Sequence, residues 1–83
     1  MFVDKDSDDY CYIIARKNMK KYRKKAGLTA QNVADLSGFS HQFIRSLESL
    51  KIVKRPRLDS LYRIAKALNI ELKQLFDEDD LDN

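Results

Sequence analysis

The stretch LTAQNVADLSGFSHQFIRSLES, residues 28–49, decides the fold of this chain. It contains two short segments that share the same arrangement of helix-start residues. In each segment a hydroxyl residue, Thr29 or Ser40, stands where a helix N-cap accepts a backbone N–H. An apolar residue precedes each hydroxyl residue and another follows it at the spacing of a hydrophobic staple. These apolar residues are Leu28, Val33, Phe39 and Ile44. The stretch therefore predicts two short capped helices.

The two predicted helices are separated by the short turn SGFS, residues 37–40. Within the turn, Gly38 tolerates the left-handed backbone that ends a helix. Two capped helices joined by a few residues that include glycine are the sequence signature of a helix-turn-helix. The apolar residues that we expect these two helices to bury are Val33, Ala34, Leu36, Phe43, Ile44 and Leu47.

The opposite side of the second predicted helix carries hydrogen-bonding side chains at positions i, i+1, i+4 and i+5. We call this set the polar stripe, and it consists of His41, Gln42, Arg45 and Ser46. The second helix of a helix-turn-helix places its N-terminal residues on base edges in the major groove of DNA. There Gln can bond to adenine, Arg to guanine and Ser to either, while a first-turn His can donate to a phosphate or a guanine. Taken singly, each residue is also explained as a solvated side chain of a surface helix.

Helical spacing continues on both sides of this motif. Residues 10–26 place an apolar face opposite a face of Lys and Arg, and Gly27 follows as a stop. Pro56 excludes a continuous helix after the motif, whereas residues 58–70 and 71–76 again show apolar groups at helical spacing. The sequence therefore predicts an all-α fold of five helices. The apolar face expected in the first helix is Tyr12, Ala15, Met19, Tyr22 and Ala26.

The charge of the chain is strongly segregated. Of 83 residues, 16 are basic and 13 acidic, and residues 10–76 hold all but one of the basic residues and only four of the acids. Such a basic segment attracts polyanions and suggests a nucleic acid partner, although a solvated surface explains the charge equally well. We expect three regions: a flexible acidic arm (1–9), a helix-turn-helix domain (10–76) and a disordered acidic tail (77–83). The tail either competes with DNA for the basic surface or serves solubility.

An enzyme is the weakest interpretation of this composition. One His and one Cys cannot supply the usual ligands of a metal site, and the chain has no glycine-rich phosphate loop, so we expect no metal and no cofactor. A single cysteine excludes an internal disulfide and fits a reducing cytoplasm. No apolar run approaches the roughly 20 residues that cross a bilayer. The acidic N-terminus MFVDKDSDD has no apolar region of a signal peptide.

The order of these motifs resembles the XRE family of bacterial regulators, the five-helix DNA-binding domains of lambdoid phage repressors and Cro proteins. The resemblance runs from about Ile14 to Phe76. It is carried by GLT…VA…GFS…I…LE in the helix-turn-helix, by LDSLYRIAKALNIELKQLF in the last two helices, and by KRPR in the loop before them.

The resemblance implies roles for individual residues. The polar stripe falls at the base-reading positions of the recognition helix. Arg23 and Glu48 match a pair that forms a buried salt bridge between the first and third helices of some members. In the phage proteins, the last helices and the loop before them also build a dimer contact. Lys54, Arg55 and Arg57 match loop positions that contact phosphates or reach into the minor groove. Apart from the resemblance, we expect further contacts to phosphates from Thr29, Gln31 and Lys51, and from Lys20, Lys21 or Arg23 on the first helix.

We therefore expect a sequence-specific regulator of transcription that binds double-stranded DNA as a homodimeric repressor. Two departures from the family pattern support an alternative, an antitoxin or anti-repressor that binds a protein partner. Ala30 stands where members usually carry a Gln that grips a phosphate, and the connection at residues 48–56 is longer than usual. Within this connection we expect Leu50 to enter the core, while Ile52 and Val53 are assigned either to the core or to a contact with another subunit.

Overall fold

The structure, a computed structural model, describes residues 6–78 of the chain. It contains α1 (Tyr10–Lys25), α2 (Ala30–Ser37), α3 (His41–Ser49) and α4 (Leu58–Ala67), followed by a 3-10 helix at Leu72–Phe76. No strand occurs in this described part. The predicted all-α fold is confirmed. The predicted count of five helices is not confirmed, because the last element is a short 3-10 helix and only four α-helices form within residues 6–78.

The last element is too short to form a stable α-helix. It spans five residues, and an α-helix of that length forms few of the hydrogen bonds that offset the cost of its nucleation. Its start is fixed instead by Gln74, whose side-chain oxygen accepts the Glu71 backbone N–H at 2.8 Å. The completely buried Leu75 then anchors the element in the core.

The helices surround one hydrophobic core. α1 packs against the 3-10 helix and α3, while α2 packs against α3 and α4. The predicted caps at Thr29 and Ser40 and the predicted left-handed backbone at Gly38 all occur, so these element boundaries follow local sequence signals. The backbone is also left-handed at Asn69, just after α4. The principal core residues are Ala15, Met19, Val33, Ala34, Ile44, Leu47, Leu61, Ile64, Ala65, Leu68 and Leu75.

The buried face of α1 differs from the predicted one. Ala15 and Met19 are buried as expected, but the face is centred one residue away and also includes Ile14 and the polar Asn18. Tyr12 and Tyr22 are half-buried at its edges, and Ala26 is exposed. Asn18 is tolerated there because its Nδ2 donates to the Leu75 and Asp77 carbonyls at 2.8 and 2.7 Å. It thereby holds the C-terminal end of the described chain on α1.

One residue of α2 was assigned to the wrong face. Leu36 is 63% exposed, and Ser37 occupies the inner position beside Val33 and Ala34. Ser37 can be buried because its hydroxyl donates to the Val33 carbonyl, one turn back, at 2.7 Å. The predicted burial of Leu36 is therefore wrong. In α3, Ile44 and Leu47 are buried as predicted, whereas Phe43 is half-buried.

The connection between α3 and α4 has no regular structure, as the position of Pro56 predicts. Leu50 adopts a left-handed backbone with φ 58° and so ends α3 at a position where a glycine is usual. It is only half-buried, so the expectation that it enters the core is wrong. Ile52 and Val53 are 53% and 77% exposed. Both therefore lie outside the core of the monomer.

The predicted acidic ends are only partly described. Residues 1–5 of the predicted arm and 79–83 of the predicted tail lie outside the described residues. Residues 6–9 form turns before α1, and the Tyr10 hydroxyl donates to Glu78 Oε2 at 2.6 Å. The two ends of the described chain therefore meet beside the start of α1. None of the helices in residues 6–78 has the length and apolar character to cross a membrane.

Candidate nucleic-acid interface

The helix-turn-helix is fixed by a cap at the start of each of its helices. The hydroxyl of Thr29 accepts the Asn32 backbone N–H at 3.0 Å, and Asn32 Oδ1 accepts the Thr29 N–H at 2.9 Å. This reciprocal capping box fixes the N-terminus of α2. At the start of α3, the Ser40 hydroxyl accepts the Phe43 N–H at 3.0 Å. Both helix starts are therefore rigid supports for the side chains next to them.

The turn between α2 and α3 is braced from α4. Arg63 donates from Nη2 and Nε to the Ser37 carbonyl at 2.6 and 3.1 Å, and its guanidinium lies 4.0 Å from the Phe39 ring centre. A Cβ on Gly38 would meet Arg63 Nη2 at 2.7 Å, and the φ of Gly38 is +82°. Glycine is favoured there by the left-handed backbone, and a larger residue would also displace the end of the Arg63 side chain from its position over the turn.

The polar stripe faces away from the core. His41, Gln42 and Arg45 are exposed, while Ser46 is half-buried. The Ser46 hydroxyl donates to the Phe43 carbonyl at 2.7 Å, so it can offer a base only its acceptor lone pairs. Three of the four predicted base-reading residues therefore present the ends of their side chains to solvent. Ser46 is the least accessible of the four.

A shallow concave surface opens between α1, the start of α2 and the exposed side of α3, and we call it the α3 groove. It brings part of the polar stripe together with several predicted phosphate contacts and with cations of α1 that face the same opening. The charged and polar residues that line the groove are Lys20, Arg23, Lys24, Thr29, Gln31, His41, Arg45, Glu48, Ser49 and Lys51. The buried Ala30 also lines it, at the position where family members usually carry Gln.

Outside the α3 groove, Lys21 lies on α1, and the other predicted phosphate contacts lie in the loop before α4, where two of them have acidic partners. Arg55 donates to Asp9 Oδ1 at 2.6 Å, and this bond raises the pKa of Arg55. Arg57 pairs with Asp59 at 3.1 Å, whereas Lys54 lies 5.6 Å from the Phe43 ring centre. Inside the groove, Gln31 donates to Asp35 at 2.8 Å. A phosphate contact by Arg55, Arg57 or Gln31 would therefore replace an intramolecular partner.

A row of lysines extends the basic surface from the α3 groove along α1. These lysines line a groove beside the end of α3, adjacent to the α3 groove and sharing Lys20 and Lys24 with it. Lys21 and Lys25 lie over the Tyr22 ring, at 4.9 and 5.7 Å from its centre. The row consists of Lys17, Lys20, Lys21, Lys24 and Lys25.

Two arginines of α1 hold α3 from its buried side. Arg23 pairs with Glu48, at 2.8 Å from Nε to Oε2 and 2.9 Å from Nη2 to Oε1, and its hydrogen bonds to Glu48 raise its pKa. Arg16 is only 2% exposed and donates to backbone carbonyls at the end of α3, and burial lowers its pKa. Arg16 was not among the predicted site residues, because the sequence pattern placed it with the solvated cations of α1.

Comparison with known proteins agrees with this architecture. A helix-turn-helix family model matches residues 19–75, which span the end of α1, all of α2, α3 and α4, and most of the 3-10 helix. A curated relative from Sinorhizobium fredii (strain NBRC 101917 / NGR234), the uncharacterized HTH-type transcriptional regulator y4dJ, is 36% identical over 58 residues. This alignment covers 70% of the present chain and 73% of the relative. No solved structure matches the chain. The chain belongs to the XRE-type family of helix-turn-helix transcriptional regulators.

Proposed function

We propose that this protein is a sequence-specific, double-stranded DNA-binding regulator of transcription that represses as a homodimer. The observation that carries the proposal is the arrangement of the α3 groove. The exposed polar face of α3 opens into the same groove as lysines of α1 and the capped start of α2. A duplex that receives α3 in its major groove would bring its phosphates toward these neighbouring groups.

In this proposal the polar stripe discriminates between bases. Arg45 is exposed, lines the α3 groove and can form two hydrogen bonds to guanine O6 and N7. Gln42 is equally exposed and suits adenine N6 and N7. His41, at the first residue of α3, can donate to a phosphate or a guanine. Ser46 contributes least, since its hydroxyl proton is already used within the helix.

The surrounding cations supply most of the affinity. Lys20, Lys24 and Lys51 line the α3 groove, so they can reach phosphates while α3 occupies the major groove. Each neutralised phosphate releases condensed counterions, and this release drives binding at low salt. Lys54, Arg55 and Arg57 lie in the loop before α4 and can extend the same contact along the backbone or into the minor groove.

The dimer is supported by the apolar residues left at the surface. Leu58 and Tyr62, one turn apart on α4, are 63% and 52% exposed, and Val53 in the preceding loop is 77% exposed. A second copy placed over the exposed face of α4 would cover Leu58 and Tyr62. One recognition helix reads few base pairs, and symmetric half-sites lie about 34 Å apart, so a two-fold dimer matches the geometry of DNA.

A second function is favoured by one specific observation. Ala30 is only 9% exposed and carries no polar group, so the start of α2 lacks the side chain that grips a phosphate in other members. A member with weaker DNA contacts would serve as an antitoxin or anti-repressor for a protein partner. Affinity capture of such a partner, combined with no mobility shift on any genomic fragment, would favour this function over the regulator.

The proposal is tested by mapping the surface that DNA covers. Backbone amide signals of the full-length protein would be followed by NMR during titration with a duplex selected from a random pool. The proposal requires the largest changes at the starts of α2 and α3 and in the 51–57 loop. Changes confined to α4 or to the outer face of α1 would mean that DNA binds elsewhere.

A regulator of this kind acts in the cytoplasm, where the lone exposed Cys11 stays reduced.

A further inference from the structure

The C-terminal end of α3 lacks the backbone hydrogen bonds that close the other helices. The residues that cap α1, α2 and α4 each donate a backbone N–H to a carbonyl within their helix. At the end of α3, Leu50 adopts a left-handed backbone, but within the described residues neither it nor Lys51 donates a backbone N–H to a carbonyl of the helix. The last carbonyls of α3 therefore need other donors.

Arg16 supplies these donors from α1. Its Nε donates to the Leu47 carbonyl at 2.7 Å, and its Nη2 donates to the Ser46 carbonyl at 3.3 Å. The same Nη2 donates to the Ile52 carbonyl, beyond the end of the helix, at 2.9 Å. One buried guanidinium thus joins the last turn of α3 to the loop that follows it.

We propose that Arg16 is the C-terminal cap of α3 and a positioning residue for DNA recognition, holding Arg45 and Lys51 in one fixed arrangement. A cation at the C-terminus of a helix is favoured by the helix dipole and satisfies the free carbonyls. Arg16 forms no ion pair within residues 6–78. Its buried charge is therefore compensated by the three carbonyls, so the guanidinium is held at the end of α3.

The position of Arg16 on α1 explains how the cap acts on the whole recognition helix. Arg16 and Arg23 are seven residues apart, two turns of the same helix, and so lie on the same side of α1. Arg23 binds the Glu48 side chain and Arg16 binds the backbone beside it. Two contacts two turns apart hold α3 against rotation as well as translation. Arg16 precedes the segment matched by the family model, residues 19–75, whereas the carbonyls that it binds lie within that segment.

The consequence for DNA lies in Lys51, which the proposed function assigns to a phosphate. Lys51 follows Leu50 directly and precedes Ile52, whose carbonyl Arg16 binds. Releasing that carbonyl would free Lys51 to move relative to Arg45, although both line the α3 groove. Base contacts made by α3 depend on its exact placement in the groove, whereas non-specific attraction to phosphates does not. Loss of the cap should therefore reduce specificity more than general affinity.

The test compares Arg16→Met with Lys17→Met in the full-length protein. Both changes remove one positive charge from adjacent positions of α1, but only the first removes the donors to α3. Amide hydrogen exchange in the free protein should accelerate at residues 46–54 in Arg16→Met and stay unchanged in Lys17→Met. Binding to the duplex selected by the wild-type protein should weaken about tenfold in Arg16→Met. Binding to a scrambled duplex should fall equally in both variants.

Three results would overturn the cap. The first is amide exchange at residues 46–54 in Arg16→Met that matches the exchange in Lys17→Met. The second is a loss of stability throughout the chain in Arg16→Met with an unchanged ratio of specific to non-specific affinity. If Arg16→Met does not fold, Arg16→Lys retains the charge without the planar fork, and wild-type exchange and specificity in that variant would also contradict the proposal. The exchange experiment needs no DNA. If the wild-type protein selects no duplex, the proposed function fails while the cap is still decided by exchange.

Discussion

Arg23 on α1 and Glu48 on α3 form two parallel hydrogen bonds, 2.8 and 2.9 Å long, with only 14% and 8% of their side chains exposed. Arg23 Nη1 also donates to the Leu28 carbonyl at 2.8 Å, just before the cap of α2. One guanidinium therefore connects α1, the entry to α2, and α3. The position of the recognition helix depends on a charge pair that is almost removed from water.

Removing one member of this pair should be costly. Arg23→Met leaves the Glu48 carboxylate nearly buried without its partner, and we expect the free energy of unfolding to fall by about 3–5 kcal/mol. The double variant Arg23→Met, Glu48→Leu removes both charges and should recover much of that loss. Urea unfolding followed by circular dichroism measures both values.

The control for the charge pair is Lys73→Met. Lys73 and Glu71 form an ion pair at 3.3 Å with 83% and 70% of their side chains exposed. Solvent weakens such a pair, so this variant should lose less than about 1 kcal/mol. Equal losses in Arg23→Met and Lys73→Met would mean that the buried pair has no special role in stability.

Lys51→Ala should weaken binding to every duplex by a similar factor. Lys51 lines the α3 groove beyond the end of α3, where a phosphate contact carries charge but no base information. The slope of log affinity against log salt should become shallower by about 0.9, the value for one released counterion on B-DNA. Titrations of the selected and scrambled duplexes over a range of salt measure this slope. A loss restricted to the selected duplex would show that Lys51 reads bases.

Asp9→Asn should tighten DNA binding a few-fold at low salt, because it frees Arg55 to meet a phosphate. Asp9 accepts the Arg55 Nε–H at 2.6 Å, so carboxylate and phosphate compete for the same guanidinium. The control Glu71→Gln removes an equal charge from a pair with Lys73, which is not a predicted DNA contact. Equal tightening in both variants would show that Asp9 affects DNA binding only through the net charge of the protein.

The helix-turn-helix could be predicted because its signals are local. Thr29, Ser40 and Gly38 determine the ends of α2 and α3 through contacts within a few residues, and the structure shows each of them in its expected role. The exposure of His41, Gln42 and Arg45 follows from the burial of Ile44 and Leu47 across the same helix. Their roles toward DNA bases stay predictions.

The errors arose where a polar residue is satisfied by a distant segment. Asn18 and Arg16 look like members of a solvated face, yet both are buried because carbonyls 30 to 59 residues away accept their hydrogen bonds. Ser37 is a different case, because its hydroxyl is satisfied locally by the Val33 carbonyl one turn back, and it takes the inner position in place of Leu36. Hydrophobic periodicity ranks residues by polarity and cannot show where such acceptors lie.

The central claim is that the polar stripe of α3 reads base edges, and selection of duplexes from a random pool tests it most directly. Wild-type protein and Arg45→Ala would be compared in parallel. We expect the wild type to enrich a two-fold symmetric sequence. Arg45→Ala should bind that sequence more weakly by about 1–3 kcal/mol and lose the base preference at one position of each half-site. An identical enriched sequence for both proteins, or none for the wild type, would contradict the claim.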